Sequence, residues 1–514
     1  MADQTVSSSR GWVTTLAGLG INLALGVLYT WSIFTSKFTT VVQLGANGAV
    51  QKKGEALAGA QPILADQASA YGLKLAEGAK TGANFFVSGL VKAGDPASGY
   101  KTVKIAGVVL KDSAFNWTAT QALLPYALCL LFFAFTMVFA GRLQDRFGPR
   151  IIASIGGVFV GAGMIIASTA EFTKGGNHMP LVLGFGVLTG MGIGLAYACA
   201  TPAAVKWFHP SRRGLISGIV VAGFGLASVY TAPTTTLLIS GQGLANTFLY
   251  LGIAFLIAIV LLAQLLKNPP AGYNPPVPAN YTPPSATAAA AAATRRVDYT
   301  WREMMKTGQF YLLWLMYAFA ALAGLMMIGL IAKLAAEQLS ATEFAKYVST
   351  GSTLASGFTL VVALALGNGL GRPVIGIVSD KIGRVPSMII VFLTQAVLVA
   401  LLLPNSHTLT FLLIVSFFIG AMYGANLTLF PAATFDFFGT KFGGVNYGLI
   451  FTAWGVGGAA GAYMAATFKD YFGSFTPAYY IAAGLLVVAS VLALLVKAPK
   501  HEMAEVPEAA PATT

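Results

Sequence analysis

The sequence predicts an all-α membrane protein with twelve transmembrane helices in two six-helix halves, and three observations predict it. Of its 514 residues, 56% are hydrophobic and only 10% charged, with a mean hydropathy of +0.72, so lipid rather than water surrounds most of the chain. Twelve apolar stretches reach the ~20 residues needed to cross ~30 Å of hydrocarbon. Finally, Gly141-Arg-Leu-Gln-Asp145-Arg-Phe-Gly148 returns as Gly376-Ile-Val-Ser-Asp380-Lys-Ile-Gly383, each time at the end of a long apolar segment. A second echo, Arg213-Gly-Leu-Ile216 against Tyr447-Gly-Leu-Ile450, has nearly the same offset. The second half is therefore a copy of the first, the usual plan of secondary transporters.

In order, the expected spans are 11–37, 117–140, 151–170, 180–205, 214–238 and 245–266 in the first half. Those of the second are 309–335, 351–378, 387–404, 408–435, 446–468 and 475–497. The organisation that follows is an N-terminal tail with span 1 (1–38), an outside or periplasmic loop (39–112), spans 2–6 (113–267), a cytoplasmic linker (268–308), the C-terminal six-helix half (309–498) and a disordered tail (499–514). Residues 1–10 hold one Arg and no small-residue cleavage site follows a short apolar core, so span 1 reads as an uncleaved anchor.

The loop 39–112 holds eight Lys, five acids and no Arg. From Gly54 to Lys92 its Ala, Gly and Leu content points to short helices, and the whole is expected to be a cap dispensable for the carrier core. The linker opens with Pro269, Pro270, Pro275 and Pro276 and an alanine run, the composition of a tether. It ends in Asp298-Tyr-Thr-Trp301-Arg-Glu-Met-Met, an amphipathic helix expected on the inner leaflet.

Arginine sets the orientation. Apart from Arg372, every Arg falls in the N-terminal tail, in the loops after spans 2, 4 and 8, or in the linker, which places those segments and both termini in the cytoplasm. This bias and the lysines of one loop account for much of the net charge of +13, so no nucleic-acid partner is implied. Cys129 and Cys199 both lie in apolar spans and give no disulfide framework.

In each copy of the octapeptide a glycine, an acid and a second glycine keep the spacing G-x3-D-x2-G (Gly141, Asp145, Gly148; Gly376, Asp380, Gly383). A base follows the acid (Arg146, Lys381) and another the second glycine (Arg150, Arg384). Small residues permit close helix approach, and the charges can pair across a short loop. These acids are expected to balance inward-open and outward-open states rather than to touch substrate.

Ionisable residues inside spans are costly and hence functional candidates. Arg372 precedes Pro373 about one and a half turns inside the cytoplasmic end of span 8, and is the one cation expected deep in the spans. It either snorkels to the headgroups or presents a planar fork to a carboxylate in a central cavity. Asn368, four residues earlier on the same face, either orients the guanidinium or donates to the anion.

Together these features resemble the major facilitator superfamily. Within it, Leu28-Tyr29-Thr-Trp31-Ser, Asn368-Gly-Leu-Gly-Arg372-Pro373, Asn446-Tyr-Gly-Leu-Ile-Phe451-Thr-Ala-Trp454-Gly and Trp301-Arg-Glu-Met-Met-Lys-Thr-Gly-Gln-Phe310 resemble the oxalate/formate antiporter family and the related monocarboxylate transporters. The resemblance implies that Arg372 binds the substrate carboxylate. It also exposes two departures. The residue four before the arginine is an acid linked to proton movement in animal monocarboxylate transporters, and here it is Asn368. Oxalate carriers of the family resemble one another in a span 11 lysine, and here the aligned residue is Trp454. One cation facing a dianion leaves about one charge uncompensated in a low dielectric, at a cost of several kcal/mol, whereas a monoanion is matched.

Tyr29, Tyr197, Tyr423, Phe451 and Trp454 belong to spans that line the cavity in carriers of this fold, and Tyr offers an apolar face with a hydroxyl. Phe224 is the weakest of the aromatic candidates. All four His fall in loops or the tail, and no metal-spaced cluster or phosphate loop appears, so neither an enzyme nor a cofactor is expected. The reading is a monomeric secondary carrier in a bacterial inner membrane, moving a small monocarboxylate (lactate, pyruvate or formate class), with protons as the candidate coupling ion. The alternatives are an oxalate/formate-type organic anion exchanger, and a carrier-like sensor regulated by the 39–112 loop.

Overall fold

The computed structural model describes residues 2–39, 117–172, 176–209, 212–270, 272–277, 298–338, 357–439, 442–472, 474–497 and 499, with the short stretches 43–44, 50–51, 61–64 and 84–87. Eleven helices among these are long and apolar enough to cross a membrane. One of them, Gly214–Ala263, has 50 residues, about twice what a crossing needs. Gly243 divides it at φ 80° and ψ 175°, backbone that essentially only glycine adopts. Twelve crossings result. They are α1 (Ser9–Thr35), α2 (Ala119–Phe147), α3 (Pro149–Ala167), α4 (Met179–Val205), α5 (214–242), α6 (244–263), α7 (Gly308–Leu334), α8 (Phe358–Ile382), α9 (Arg384–Leu402), α10 (Leu409–Phe438), α11 (Gly443–Phe472) and α12 (Thr476–Leu495).

Both copies of the duplicated octapeptide are helical almost to their last residue. α2 runs on to Phe147 and α8 to Ile382, so Asp145 and Asp380 sit in the final turns of helices where a loop was expected. The whole connection to the next helix is one glycine: Gly148 at φ 84°, ψ 157° and Gly383 at φ 94°, ψ 162°. The first glycines behave otherwise than expected. A Cβ on Gly141 would meet nothing within 4 Å, and one on Gly376 only the Thr428 methyl at 3.7 Å. Neither marks close helix packing: both face largely open space on helices whose neighbouring residues Ala140, Gln144, Ile375 and Ser379 are buried.

We call the end carrying these motifs the motif end and the other, where α1 leads into residues 40–116, the long-loop end. In that segment the described residues are strands β1 (Gln43–Leu44), β2 (Val50–Gln51), β3 (Gln61–Leu64) and β4 (Asn84–Val87), joined in the order β2-β1-β4-β3. At 61–64 and 84–87 this replaces the short helices expected between Gly54 and Lys92; the rest of that stretch lies outside the described residues. Asn84-Phe-Phe-Val87 is β-forming, Pro62 is tolerated because β3 is an edge strand, and bulk Ala and Leu content hid both. The remaining residues of this loop, the linker from 278 to 297 and the tail beyond 499 lie outside the described residues. The expected amphipathic helix is reduced to one turn, Trp301–Met304, capped reciprocally by Thr300 and Glu303. It is tied to the second half by Tyr299 N–H to the Phe438 carbonyl (3.0 Å) and by the Asn446 amide to the Tyr299 carbonyl (2.9 Å).

The halves meet along α2 with α11, α5 with α8, and α1 with α7. α1 is interrupted at its centre by a 3-10 turn, Gly26–Thr30, where a Cβ on Gly26 would collide with Ala227 and the Phe224 carbonyl. A tightened turn inside a helix is a frequent hinge. This one presents Tyr29 to the seam between the halves.

Candidate functional site

Arg372 lies about three turns before α8 ends at Ile382, roughly 15 Å inside the helix at ~1.5 Å per residue. That is deeper than the sequence placed it, because α8 extends four residues further than expected. Arg372 is 5% exposed. Its guanidinium donates to Asn368 Oδ1 from Nε (3.3 Å) and Nη2 (3.1 Å), and across the seam from Nη1 to the Val221 carbonyl of α5 (2.8 Å). Gly225, one turn on, leaves room for it: a Cβ there would stand 3.1 Å from Nη2. All these acceptors are neutral, and among the described residues no carboxylate pairs with Arg372. A buried cation without a counter-ion costs several kcal/mol, so Arg372 is a candidate site for an anionic ligand. Asn368 is fully buried; its oxygen orients the arginine while its Nδ2 has no hydrogen-bond partner, a donor beside the cation.

Around this pair the structure gathers every aromatic candidate. Tyr29 and Tyr423 hydroxyls meet at 2.7 Å across the seam, and Trp454 Nε1 donates to Tyr423 Oη at 2.9 Å. The Trp454 ring stacks on Phe451 at 4.9 Å. Tyr197 lies 5.3 Å from Phe224 and 6.4 Å from Phe451, centroid to centroid. Phe224, the weakest candidate in the sequence, is a hub touching Tyr29, Phe133 and Tyr197.

Phe133 of α2 was missed; it packs on Phe451 (5.5 Å) and edge-on to Trp454 (5.1 Å). Nothing local separates it from Phe132 and Phe135, and only the helical face shared with Leu130 and Met137 could have pointed to it. The backbone carbonyl of Val221 carries no sequence signal at all.

A second buried cation corrects the expectation that Arg372 would be alone. Lys333 in α7 is 4% exposed, with Nζ 5.2 Å over the Phe475 ring, a ring that Lys469 also approaches at 4.8 Å. Phe475 immediately precedes α12 and Lys469 ends α11, so Lys333 belongs to the long-loop end and not to the layer of Arg372. Its place two residues from the end of the expected span concealed its burial.

The gating candidates divide. Asp380 pairs with Arg384 (2.7 Å), whose Nε donates to Asp436 (3.0 Å). Asp145 does not pair with Arg146 or Arg150; it accepts from Gln144 (3.0 Å) and lies 3.9 Å from Lys206. Arg146 leans over Phe147, and Arg150 donates to Gln264 Oε1 at 2.5 Å. None of these contacts crosses between halves. At the long-loop end the halves are joined by a residue the sequence gave no reason to notice. The Asp470 carboxylate of α11 accepts from Ala119 N–H (2.7 Å), Thr120 N–H (2.9 Å) and the Thr120 hydroxyl (2.6 Å) at the start of α2, where the helix dipole favours an anion.

The Major Facilitator Superfamily profile matches residues 98–364 and 339–513. The uncharacterized MFS-type transporter YhjX of Escherichia coli is 30% identical over 66% of this chain and 76% of its own. The oxalate:formate antiporter of Oxalobacter formigenes is 30% identical over 69% of this chain and 77% of its own. Human monocarboxylate transporter 7 is 26% identical over 33% of this chain and 31% of its own. A solved structure of the Escherichia coli xylose transporter XylE, partially occluded and inward-open, superposes with a TM-score of 0.59 at 11% identity, covering 95% of this chain and 98% of that one. The duplicated motif, the twelve crossings and these similarities agree: the chain is a multi-pass membrane transporter of the major facilitator superfamily, among relatives that include the oxalate:formate antiporter and the monocarboxylate transporters.

Proposed function

We propose that the protein carries small monocarboxylates by alternating access, with Arg372 as the anion anchor. The observation that carries this reading is the buried guanidinium with neutral partners only. A carboxylate of one charge completes it, with the Asn368 amide as a further donor. Tyr29, Tyr197, Tyr423, Phe451 and Trp454 supply the aromatic walls, whose apolar faces and hydroxyls suit a short carbon skeleton. Trp454 occupies the position where a second cation would neutralise a dianion, and its indole N–H is already engaged by Tyr423. An uncompensated charge of about 3 kcal/mol would disfavour oxalate roughly 100-fold. Asn368 cannot ionise, so proton coupling, where present, uses another group. In this reading the protein sits in a bacterial inner membrane with the motif end facing the cytoplasm, an orientation that the arginine distribution supports.

The similarity to an oxalate:formate antiporter favours a second reading, exchange of one organic anion for another. Counterflow in proteoliposomes, with labelled formate, lactate and pyruvate outside and each unlabelled acid or none inside, with and without a proton gradient, distinguishes exchange from symport. Arg372→Lys should lose most uptake despite the retained charge, because an ammonium cannot make the bidentate contact. Near-normal uptake by Arg372→Ala would reduce the residue to a structural tie between α8 and α5 and sink the proposal.

A further inference from the structure

At the motif end of the first half, away from the central site, a cavity of about 390 Å3 lies between the start of α1 and the end of α6. Two cations line it, Arg10 and Lys267, and among the described residues neither has a carboxylate partner. Arg150 borders it through its hydrogen bond to Gln264, itself a lining residue. The floor is built rather than accidental. Trp207 Nε1 donates to the Lys267 carbonyl (2.7 Å), Tyr273 donates back to the Trp207 carbonyl (3.2 Å), and the Thr14 hydroxyl reaches the Leu265 carbonyl (3.4 Å). The chain leaving α6 is thereby folded under α4, holding Lys267 at the rim.

The mouth of this cavity has a particular neighbour. Val13 and Leu265, on its wall, are each 46% exposed, and one turn deeper Leu16 and Leu261 are 58% and 63% exposed. Going inward along the α1–α6 seam, the surface changes from cations and amides to exposed aliphatic side chains. That is the order of chemistry in a phospholipid, a phosphate headgroup followed by acyl chains. Basic pockets between helices at this depth are suited to anionic headgroups.

We propose that this cavity is a headgroup site for an anionic phospholipid, with the phosphate between Arg10 and Lys267 and an acyl chain along Leu16 and Leu261. A soluble phosphate ester would use the same cations but gain nothing from the leucines.

The test titrates the purified full chain with dioctanoyl-phosphatidylglycerol, dioctanoyl-phosphatidylcholine and glycerol 3-phosphate, read by native mass spectrometry. Phosphatidylglycerol should bind about 30-fold tighter than phosphatidylcholine, as two cations near a headgroup imply, and the preference should shrink with added salt. Arg10→Gln with Lys267→Gln should abolish it. Leu16→Ser with Leu261→Ser should weaken the lipid and leave glycerol 3-phosphate unchanged. Should the double charge variant fold poorly, Lys267→Gln alone must reduce the preference severalfold. Equal binding of the two lipids, a preference that survives loss of the cations, or glycerol 3-phosphate binding as tightly as phosphatidylglycerol would each overturn the proposal.

Discussion

The two ends of this transporter are held by different logic. At the long-loop end the halves are joined to each other: Asp470 of α11 caps the start of α2 through three hydrogen bonds of 2.6–2.9 Å, and Tyr126 of α2 donates to the Leu325 carbonyl of α7 at 3.0 Å. At the motif end the charges are satisfied inside each half, Asp380 with Arg384 and Asp145 with Lys206. A rocking carrier must break the contacts that join its halves and keep those within them. On the proposed mechanism the long-loop end is the gate closed in this conformation, and among the described residues the acids of the duplicated motif make no ion pair across the seam. Duplication copied a spacing, and later divergence gave the copies different partners: the end of α10 offers the acid Asp436 to Arg384, where the end of α4 offers the base Lys206 to Asp145.

The comparison can be broken most sharply at Asp470. A hydrogen bond to a charged group contributes about 1.5–3 kcal/mol, and because the two bonds to Thr120 are exposed and water replaces them when they open, the net loss is close to that of one bond. Asp470→Ala should thus shift the equilibrium toward opening at the long-loop end by on the order of 50-fold, read as longer spin-label distances between the ends of α2 and α11. An unchanged distance distribution would show that the gate is held elsewhere. A smaller effect is expected at the motif end from Gly148→Ala or Gly383→Ala, each forced into backbone that essentially only glycine adopts, at roughly 1–3 kcal/mol of stability. Equal melting temperatures for the variants and the parent would contradict this.

Next comes Asp380→Asn, which removes an ion pair from a half-exposed cluster and should alter maximal transport rate by a few-fold at most, with affinity unchanged. Asp145→Asn should do less, since its 3.9 Å contact with Lys206 involves side chains 71% and 42% exposed. A larger loss in Asp145→Asn than in Asp380→Asn would reverse the asymmetry drawn here. Replacing residues 39–112 by a Gly/Ser linker should change least, leaving uptake intact; failure of the variant to insert would show that the loop packs into the core.

The sequence made some of this legible and hid the rest for physical reasons. Twelve crossings and two halves follow from apolar length and a repeated octapeptide, both local signals. The break between α5 and α6 was expected near residues 239–244 and falls at Gly243. Arg372 was legible because an arginine inside an apolar span has few reasons to be there. Its partners were less so. Asn368 shares its helix and could be paired by spacing, whereas Val221 contributes only a carbonyl, and Gly225 only the absence of a side chain. Phe133 is one of several phenylalanines on α2, and which of them faces the seam is decided by tertiary packing. Asp470 and Lys333 lie at helix ends, where charged residues are ordinary, so only the fold shows that one joins the halves and the other is buried.

The most direct test of the central claim is competition for uptake by the unmodified protein in proteoliposomes. With one deep cation at the Arg372 layer and Trp454 where a second would be required, formate, lactate and pyruvate should compete at concentrations roughly 100-fold below those at which oxalate does. If oxalate competes as well as the monocarboxylates, another cation reaches the site and the assignment of Arg372 as its sole charge is wrong.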